Sequence, residues 1–307
     1  MSNSYDVTVI GAGLAGLTAA MYTARYGLKT LVVEKLMTGG QVFNVEKLEN
    51  FPGFPHGISG AELGPLVQEQ ATSAGAEFQL SEVSKIETGT TSHIVTTTEG
   101  DIESKSIIIA CGSSLRKLGV PGEEEFLGRG VSQCASCDGS FFYDEVVGVV
   151  GGGDSALDEA LVLTDYASKI LIFHRGDSFR AQQAIQSQIL DHPKIEVRWK
   201  TQLESIMGTD TVDSVALQSV VSGETTEEKV AGVFVFVGLD PNTQFLEGVL
   251  TLDGAGHVPV DLNMATSVPG IFAAGDLRQN SVKQLISAAG DGGTAAVSVA
   301  NYIANMG

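Results

Sequence analysis

Residues 7–35, VTVIGAGLAGLTAAMYTARYGLKTLVVEK, and residues 147–175, VGVVGGGDSALDEALVLTDYASKILIFHR, superpose at a constant offset of 140 without a gap. Each stretch reads as an apolar strand, a glycine-rich turn, an apolar-periodic helix and a second apolar strand, which is the opening of a βαβ unit. The turns carry Gly11, Gly13 and Gly16 in the first copy and Gly151, Gly153 and Ala156 in the second. The first position makes the tight turn, the second lets the backbone approach a pyrophosphate, and the third must be small for helix-on-sheet packing. The pyrophosphate then sits at the positive helix terminus. One such turn is weak; two in the same context predict two dinucleotide sites.

The residue ending the second strand separates the two sites. In the first copy it is Glu34, 23 residues after Gly11. A carboxylate there accepts from the hydroxyls of an unphosphorylated ribose, as in FAD or NAD. In the second it is His174, followed by Arg175 and later Arg180. Cationic donors there suit a ribose 2′-phosphate; the alternative is a solvated basic surface.

Outward from the repeats, QCASCDGSFF (133–142) sets Cys134 and Cys137 two residues apart, with Asp138 behind them. Cys111 is the third cysteine, and the histidines are scattered singly. Zinc is therefore short of ligands, a reducing compartment leaves thiols unpaired, and a redox dithiol is the expectation. By itself, Asp138 reads as a turn residue before Gly139.

The 307 residues allow about two domains. Eighteen Lys and Arg against 37 Asp and Glu leave a net charge of −19, which repels nucleic acid and anionic membranes. No apolar run approaches a membrane span and the N-terminus enters a strand directly, so a cytoplasmic protein is expected. Residues 38–55 read as a ligand-contacting loop, 58–79 as a helix, the stretch from Ser81 to Gly112 as a three-stranded meander, and 282–304 as a long helix. Cys111 reads as a buried core thiol. Asp276, after Gly275, binds a cofactor hydroxyl or caps a helix. Chain crossings are expected near 113–130 and 237–246.

In this order, GAGLAG, CASCDG, GGGDSALDEA, HRGDSFRA and GIFAAGDLRQN resemble the low-molecular-weight thioredoxin reductases along essentially the whole chain. The resemblance implies an α/β fold of two Rossmann-like dinucleotide-binding domains with three-layer sheets, the second inserted into the first. The FAD domain would comprise 1–114 and 245–307, the NADPH domain 115–244, and the chain would act as a homodimer. Gly11, Gly13, Gly16 and Glu34 would hold the FAD adenosine half, Gly40, Gln41 and Asn50 the flavin loop, and Asp276 and Gln284 the ribitol and ring. Gly151, Gly153, Asp154, Ser155, Ala156, His174, Arg175 and Arg180 would hold NADPH. Hydride would pass to the flavin and on to the Cys134–Cys137 disulfide. Cys137 would face the flavin, Cys134 would attack the disulfide of a thioredoxin-like protein, and Asp138 would protonate the leaving thiolate. Flavin-dependent dithiol oxidation by oxygen, and NADH-dependent or nucleotide-independent reduction, are the alternatives. The family's usual phosphate clamp has two adjacent arginines and a third, whereas Gly176 follows Arg175 here. Lys283 stands where arginine is usual, and Cys111 where threonine is common.

Overall fold

A computed structural model of the chain describes residues 3–306. The chain divides into two compact units, one of residues up to Ser114 and from Asp240 onward, the other of Leu115–Leu239.

The first unit opens with β1 (Ser4–Ile10), α1 (Leu14–Arg25) and β2 (Thr30–Glu34), followed by α2 (Gly60–Ser73) and β3 (Glu77–Leu80). A meander of β4 (Val83–Glu87), β5 (His93–Thr97) and β6 (Gly100–Ile109) completes its first segment. The strands line up as β3-β2-β1-β6-β5-β4, parallel from β3 to β6 and antiparallel through the meander. Parallel strands are covered on both faces, so they read as continuous apolar runs whose alternate residues serve opposite cores. Val7, Val9, Val32 and Ile108 pack with Leu17, Ala20, Ala295 and Val299 on the helical face. Ile10, Leu31, Val33, Ile107 and Ile109 pack with Ile86 and Val95 on the other.

The second unit follows β7 (Ser113–Leu115). It contains β8 (Val131–Ser132), α3 (Ala135–Asp138), β9 (Val146–Gly151), α4 (Asp154–Leu163), β10 (Lys169–His174), α5 (Gln183–Asp191) and β11 (Ile195–Trp199). Then come β12 (Thr201–Gly208), β13 (Val212–Ser219), β14 (Thr225–Lys229) and β15 (Gly232–Phe236). Five strands form a wholly parallel sheet, β11-β10-β9-β15-β8. Leu157, Ala160, Leu163 and Ile189 cover one face. The antiparallel β12-β13-β14 sheet covers the other through Leu203, Ile206, Val215 and Leu217. Three layers result. Phe173 and Phe234 are among the largest fully buried side chains, each contributing about 1.5–3 kcal/mol by leaving water. The chain returns through β16 (Leu239–Pro241) to the first unit, where β17 (Ile271–Ala273) joins the sheet beside β6 and α6 (Leu285–Ala304) packs on the helical face.

Three local expectations shift. The helix expected over 58–79 ends at Ser73, because Gly75 takes a left-handed φ of +106° and the chain re-enters the sheet as β3. Residues 40–44 form a short 3-10 helix inside the expected loop. The last helix starts at Leu285 rather than 282, since Lys283 has a positive φ of 58° that an α-helix does not admit.

Candidate active site

In the first unit a cleft of about 800 Å³ runs from the α1 N-terminus to the segment around Asp276, within the range of pockets that bury a cofactor. Gly11 makes the turn at φ +101°, where a Cβ would lie 2.5 Å from the Ala110 carbonyl oxygen. A Cβ on Gly16 would overlap the Gly11 carbonyl oxygen, whereas one on Gly13 would meet nothing within 4 Å. Gly13 therefore presents bare backbone to the cleft. As N-cap of α1 it offers no side-chain bond, and the first turn carries no acidic residue. Its N–H groups and the positive helix end remain available to an anion. Glu34 reaches back to this turn: its Oε2 accepts from Ala12 N at 2.7 Å and its Oε1 from Leu36 N at 2.9 Å.

The opposite lip comes from distant segments. Gly40, at φ +61°, sits against Gly13, where a Cβ would lie 3.2 Å from the Gly13 Cα. Gln41 Nε2 donates to the Ser113 carbonyl at 2.7 Å. Asn50 Nδ2 donates to Gln284 Oε1 at 3.3 Å across 234 residues of sequence, although neither lines the cleft itself. Asp276 lines it beside Gly275, and burial pushes its carboxyl up from the ordinary carboxylate range. Arg278 Nε donates to Asp291 Oδ2 at 2.5 Å and its second terminal nitrogen to Oδ1 at 3.0 Å, while Gly275 N donates to Oδ2 at 3.1 Å. That buried ion pair fixes the Gly275–Asp276 corner on α6. Cys111 packs against the core of the first unit, as expected, and also borders the cleft. Its Sγ donates to the Asn242 carbonyl at 3.1 Å, and burial pushes the thiol up to about 12.

The second glycine turn, in the other unit, repeats this architecture. Gly151 makes the turn at φ +153°, a Cβ on it would lie 2.6 Å from the Ala156 methyl, and Gly153 again has open space. Ala156 is buried in the helix-to-sheet contact. Asp154 sits in the first turn of α4, its Oδ1 accepting from Gln182 N at 2.7 Å and its Oδ2 from Gln182 Nε2 at 3.1 Å. Ser155, next along α4, is exposed. His174 turns inward: its Nδ1 lies 3.0 Å from the Gly151 carbonyl oxygen and its Nε2 3.0 Å from that of Ser178. Its ring also occupies the space a Gly176 side chain would enter, with Nε2 2.8 Å from a Cβ there. Arg175 and Arg180 are exposed.

Cys134 and Cys137 form a disulfide with sulfurs 2.02 Å apart, on the short helix α3 that packs against α4. Cys134 is half-buried and Cys137 exposed. Cys137 N donates to Cys134 Sγ at 3.2 Å, and Ala135 N to Glu159 Oε2 on α4 at 2.6 Å. Asp138 Oδ2 accepts from the Ser132 hydroxyl at 2.6 Å. Phe141 and Tyr143, just beyond, are 79% and 70% exposed, an apolar surface beside a reactive pair. Arg129 holds the carbonyls of Asp210 and Glu125 and lies over the Phe126 ring. Ser132, Glu159, Asn242 and the Arg278–Asp291 pair escape sequence reasoning, since none stands in a spacing that marks chemistry.

The cradles fit dinucleotides on steric grounds: a Cβ is forbidden at Gly11 and Gly151, yet nothing occupies the space over Gly13 and Gly153. With a CxxC disulfide in the same chain, they define a nucleotide-dependent disulfide oxidoreductase. The pyridine nucleotide-disulphide oxidoreductase profile matches residues 5–292, and the chain belongs to that family. It is 45% identical to the thioredoxin reductase of Treponema pallidum over 99% of this chain and 98% of that one, and 42% identical to the Bacillus subtilis thioredoxin reductase over 98% and 96%. Among solved structures, the Lactococcus lactis thioredoxin reductase in its FR conformation superposes with a TM-score of 0.96 at 42% identity, covering 98% of this chain and 99% of that one. The T. acidophilum thioredoxin reductase superposes with a TM-score of 0.94 at 33% identity, covering 98% of this chain and 99% of that one.

Proposed function

We propose that the chain is a flavoprotein that passes electrons from NADPH through FAD and the Cys134–Cys137 pair to the disulfide of a thioredoxin-like protein. The observation that carries this reading is the closed disulfide on a CxxC helix, in a chain with two dinucleotide cradles and full-length similarity to thioredoxin reductases. FAD and NADPH, when bound, supply two-electron redox chemistry. The net reaction consumes NADPH, one proton and the partner's disulfide, and yields NADP and the partner's dithiol.

The unit of residues up to Ser114 and from Asp240 holds FAD, with the Gly11–Gly16 turn under the pyrophosphate and Glu34 toward the adenosine ribose. Gly40, Gln41, Asn50, Asp276 and Gln284 attend its flavin half. The unit of Leu115–Leu239 holds NADPH on the Gly151–Ala156 turn, with Arg175 and Arg180 toward the 2′-phosphate. Scarcity of cations supports that assignment: both arginines lie exposed in a chain of net charge −19. At the dithiol, Cys137 receives the electron pair, Cys134 attacks the partner's disulfide and Asp138 protonates the leaving thiolate. Exposed Phe141 and Tyr143 offer the partner an apolar contact. A homodimer in the cytoplasm completes the reading. No described helix is long and apolar enough to cross a membrane, and the acidic surface disfavours nucleic acid.

A thioredoxin-coupled assay tests it. The purified protein is expected to be yellow, to bleach with stoichiometric NADPH, and to reduce thioredoxin. Cys134→Ser is expected to lower that turnover by about a thousandfold or more while the flavin still bleaches. Trapping with Cys134→Ser and Cys137→Ser separately identifies the attacking sulfur. Thioredoxin turnover undiminished in both variants would remove the dithiol from the reaction, and oxygen uptake driven by a dithiol without nucleotide would replace reduction by oxidation.

A further inference from the structure

Beside the dithiol, a buried hydroxyl has two acceptors for its one proton. Ser132 ends β8, is 4% exposed, and pairs in parallel with Phe234 of β15, so its backbone is held by the sheet. Its Oγ accepts from Cys134 N at 3.1 Å. The hydroxyl proton faces Asp138 Oδ2 at 2.6 Å and the Cys134 carbonyl at 3.3 Å. An ionised acceptor makes the shorter and stronger bond, so a charged Asp138 takes that proton. When Asp138 carries a proton its acceptor strength falls, and rotation of the hydroxyl delivers its bond to the Cys134 carbonyl. That oxygen already accepts from Asp138 N at 3.2 Å, and a carbonyl has two lone pairs. Neither protonation state leaves the buried hydroxyl without an acceptor, which would otherwise be costly.

We propose that Ser132 is a positioning residue for the dithiol chemistry: its hydroxyl holds the Asp138 carboxylate beside the Cys134–Cys137 pair and turns to the Cys134 carbonyl when Asp138 is protonated. The inference rests on Asp138 as the acid. With FAD bound to supply an electron pair, the S–S bond would open to two thiolates; Asp138 would give its proton to one sulfur and become a carboxylate, which the Ser132 hydroxyl would then meet. When the disulfide closes on the partner, Asp138 would take that proton back and pass it to the partner's leaving thiolate. A serine that only shapes the turn into α3 would need only the Cys134 N–H bond, so the contact to Asp138 is what separates the two roles.

The test uses the FAD-loaded protein with Ser132→Thr and Ser132→Val, which share a shape and differ in the hydroxyl, and Ser132→Ala alongside. Val and Ala are expected to slow thioredoxin-coupled kcat by about tenfold, the size of one bond to a charged group, with Thr within about twofold of the parent. The decisive readout is the pH profile of iodoacetamide alkylation of the pre-reduced dithiol. Ser132→Val is expected to displace it in the parent and to leave it where it lies in an Asp138→Asn background. An equal displacement in both backgrounds, or none in the parent, would overturn the proposal and leave Ser132 a turn residue. If Asp138→Asn itself moves neither profile nor turnover, the acid assignment fails, independently of the serine.

Discussion

The two glycine turns solve one steric problem with opposite polarity at the strand that follows. In the first, the Glu34 carboxylate accepts from Ala12 N within the turn; in the second, an imidazole nitrogen of His174 meets the Gly151 carbonyl. Both residues tie the end of the second strand back to the turn. Part of what a sequence comparison would assign to ribose recognition is thus structural, and the charge remaining for a ligand differs in sign. The helix termini differ too. No carboxylate stands in the first turn of α1, while Asp154 does in that of α4, engaged by Gln182. His174 being turned under the loop and Gly176 lacking a side chain, the cations left for the proposed 2′-phosphate contact are Arg175 and Arg180.

The comparison breaks most sharply at the third small position. Gly16→Ala drives a methyl into the Gly11 carbonyl oxygen, and a loss of about 3 kcal/mol or more with failure to retain FAD is expected. The mirror change, Ala156→Gly, is expected to cost only about 1 kcal/mol. Thermal melts with and without FAD check both, and similar losses would show that the turns do not differ there. Asp291→Asn strands Arg278 in a nearly closed site, with side-chain exposures of 15% and 8% for the pair. A loss of about 3 kcal/mol is expected from the first unit, read by urea melts that follow flavin release.

Smaller effects are expected at the second turn. Arg175→Ala and Arg180→Ala should each lower kcat/KM for NADPH by about tenfold or more, one charge-assisted contact apiece, with kcat/KM for NADH nearly unmoved. Equal losses with both nucleotides would mean that these arginines do not read the 2′-phosphate. The smallest concerns His93, buried on β5, whose burial holds its ring below the ordinary 6.5. The unfolded chain then binds a proton that the folded chain refuses. Stability is complete above 6.5 and falls as the pH drops below it toward the folded value. Melting temperature against pH should lose part of that slope in His93→Gln.

Much of the site was legible because steric demands are local. A turn that forbids a Cβ at Gly11 and needs a small residue five positions on writes itself into spacing, as does a pair of thiols that must close into one ring. Asn50 and Gln284 were named from resemblance and do meet, across 234 residues. Cys111 reads as core from its strand-end place and packs there, but only the return of the chain through Asn242, 131 residues away, shows that it also borders the cleft. Ser132 and Glu159 carried no signal: a serine at a strand end and a glutamate on a helix are ordinary surface choices until α3 folds onto them.

By itself the sequence determined two βαβ openings, a dithiol and the charge ending each second strand, since periodicity and turn sterics act over a few neighbouring residues. Tertiary structure alone decided that His174 turns toward two carbonyls, that Arg278 meets Asp291 behind Asp276, and that Ser132 shares its proton between Asp138 and Cys134. Those outcomes depend on hydrogen-bond partners delivered by separate strands and helices, and a bond effective over about 3 Å is set by packing, not by order along the chain.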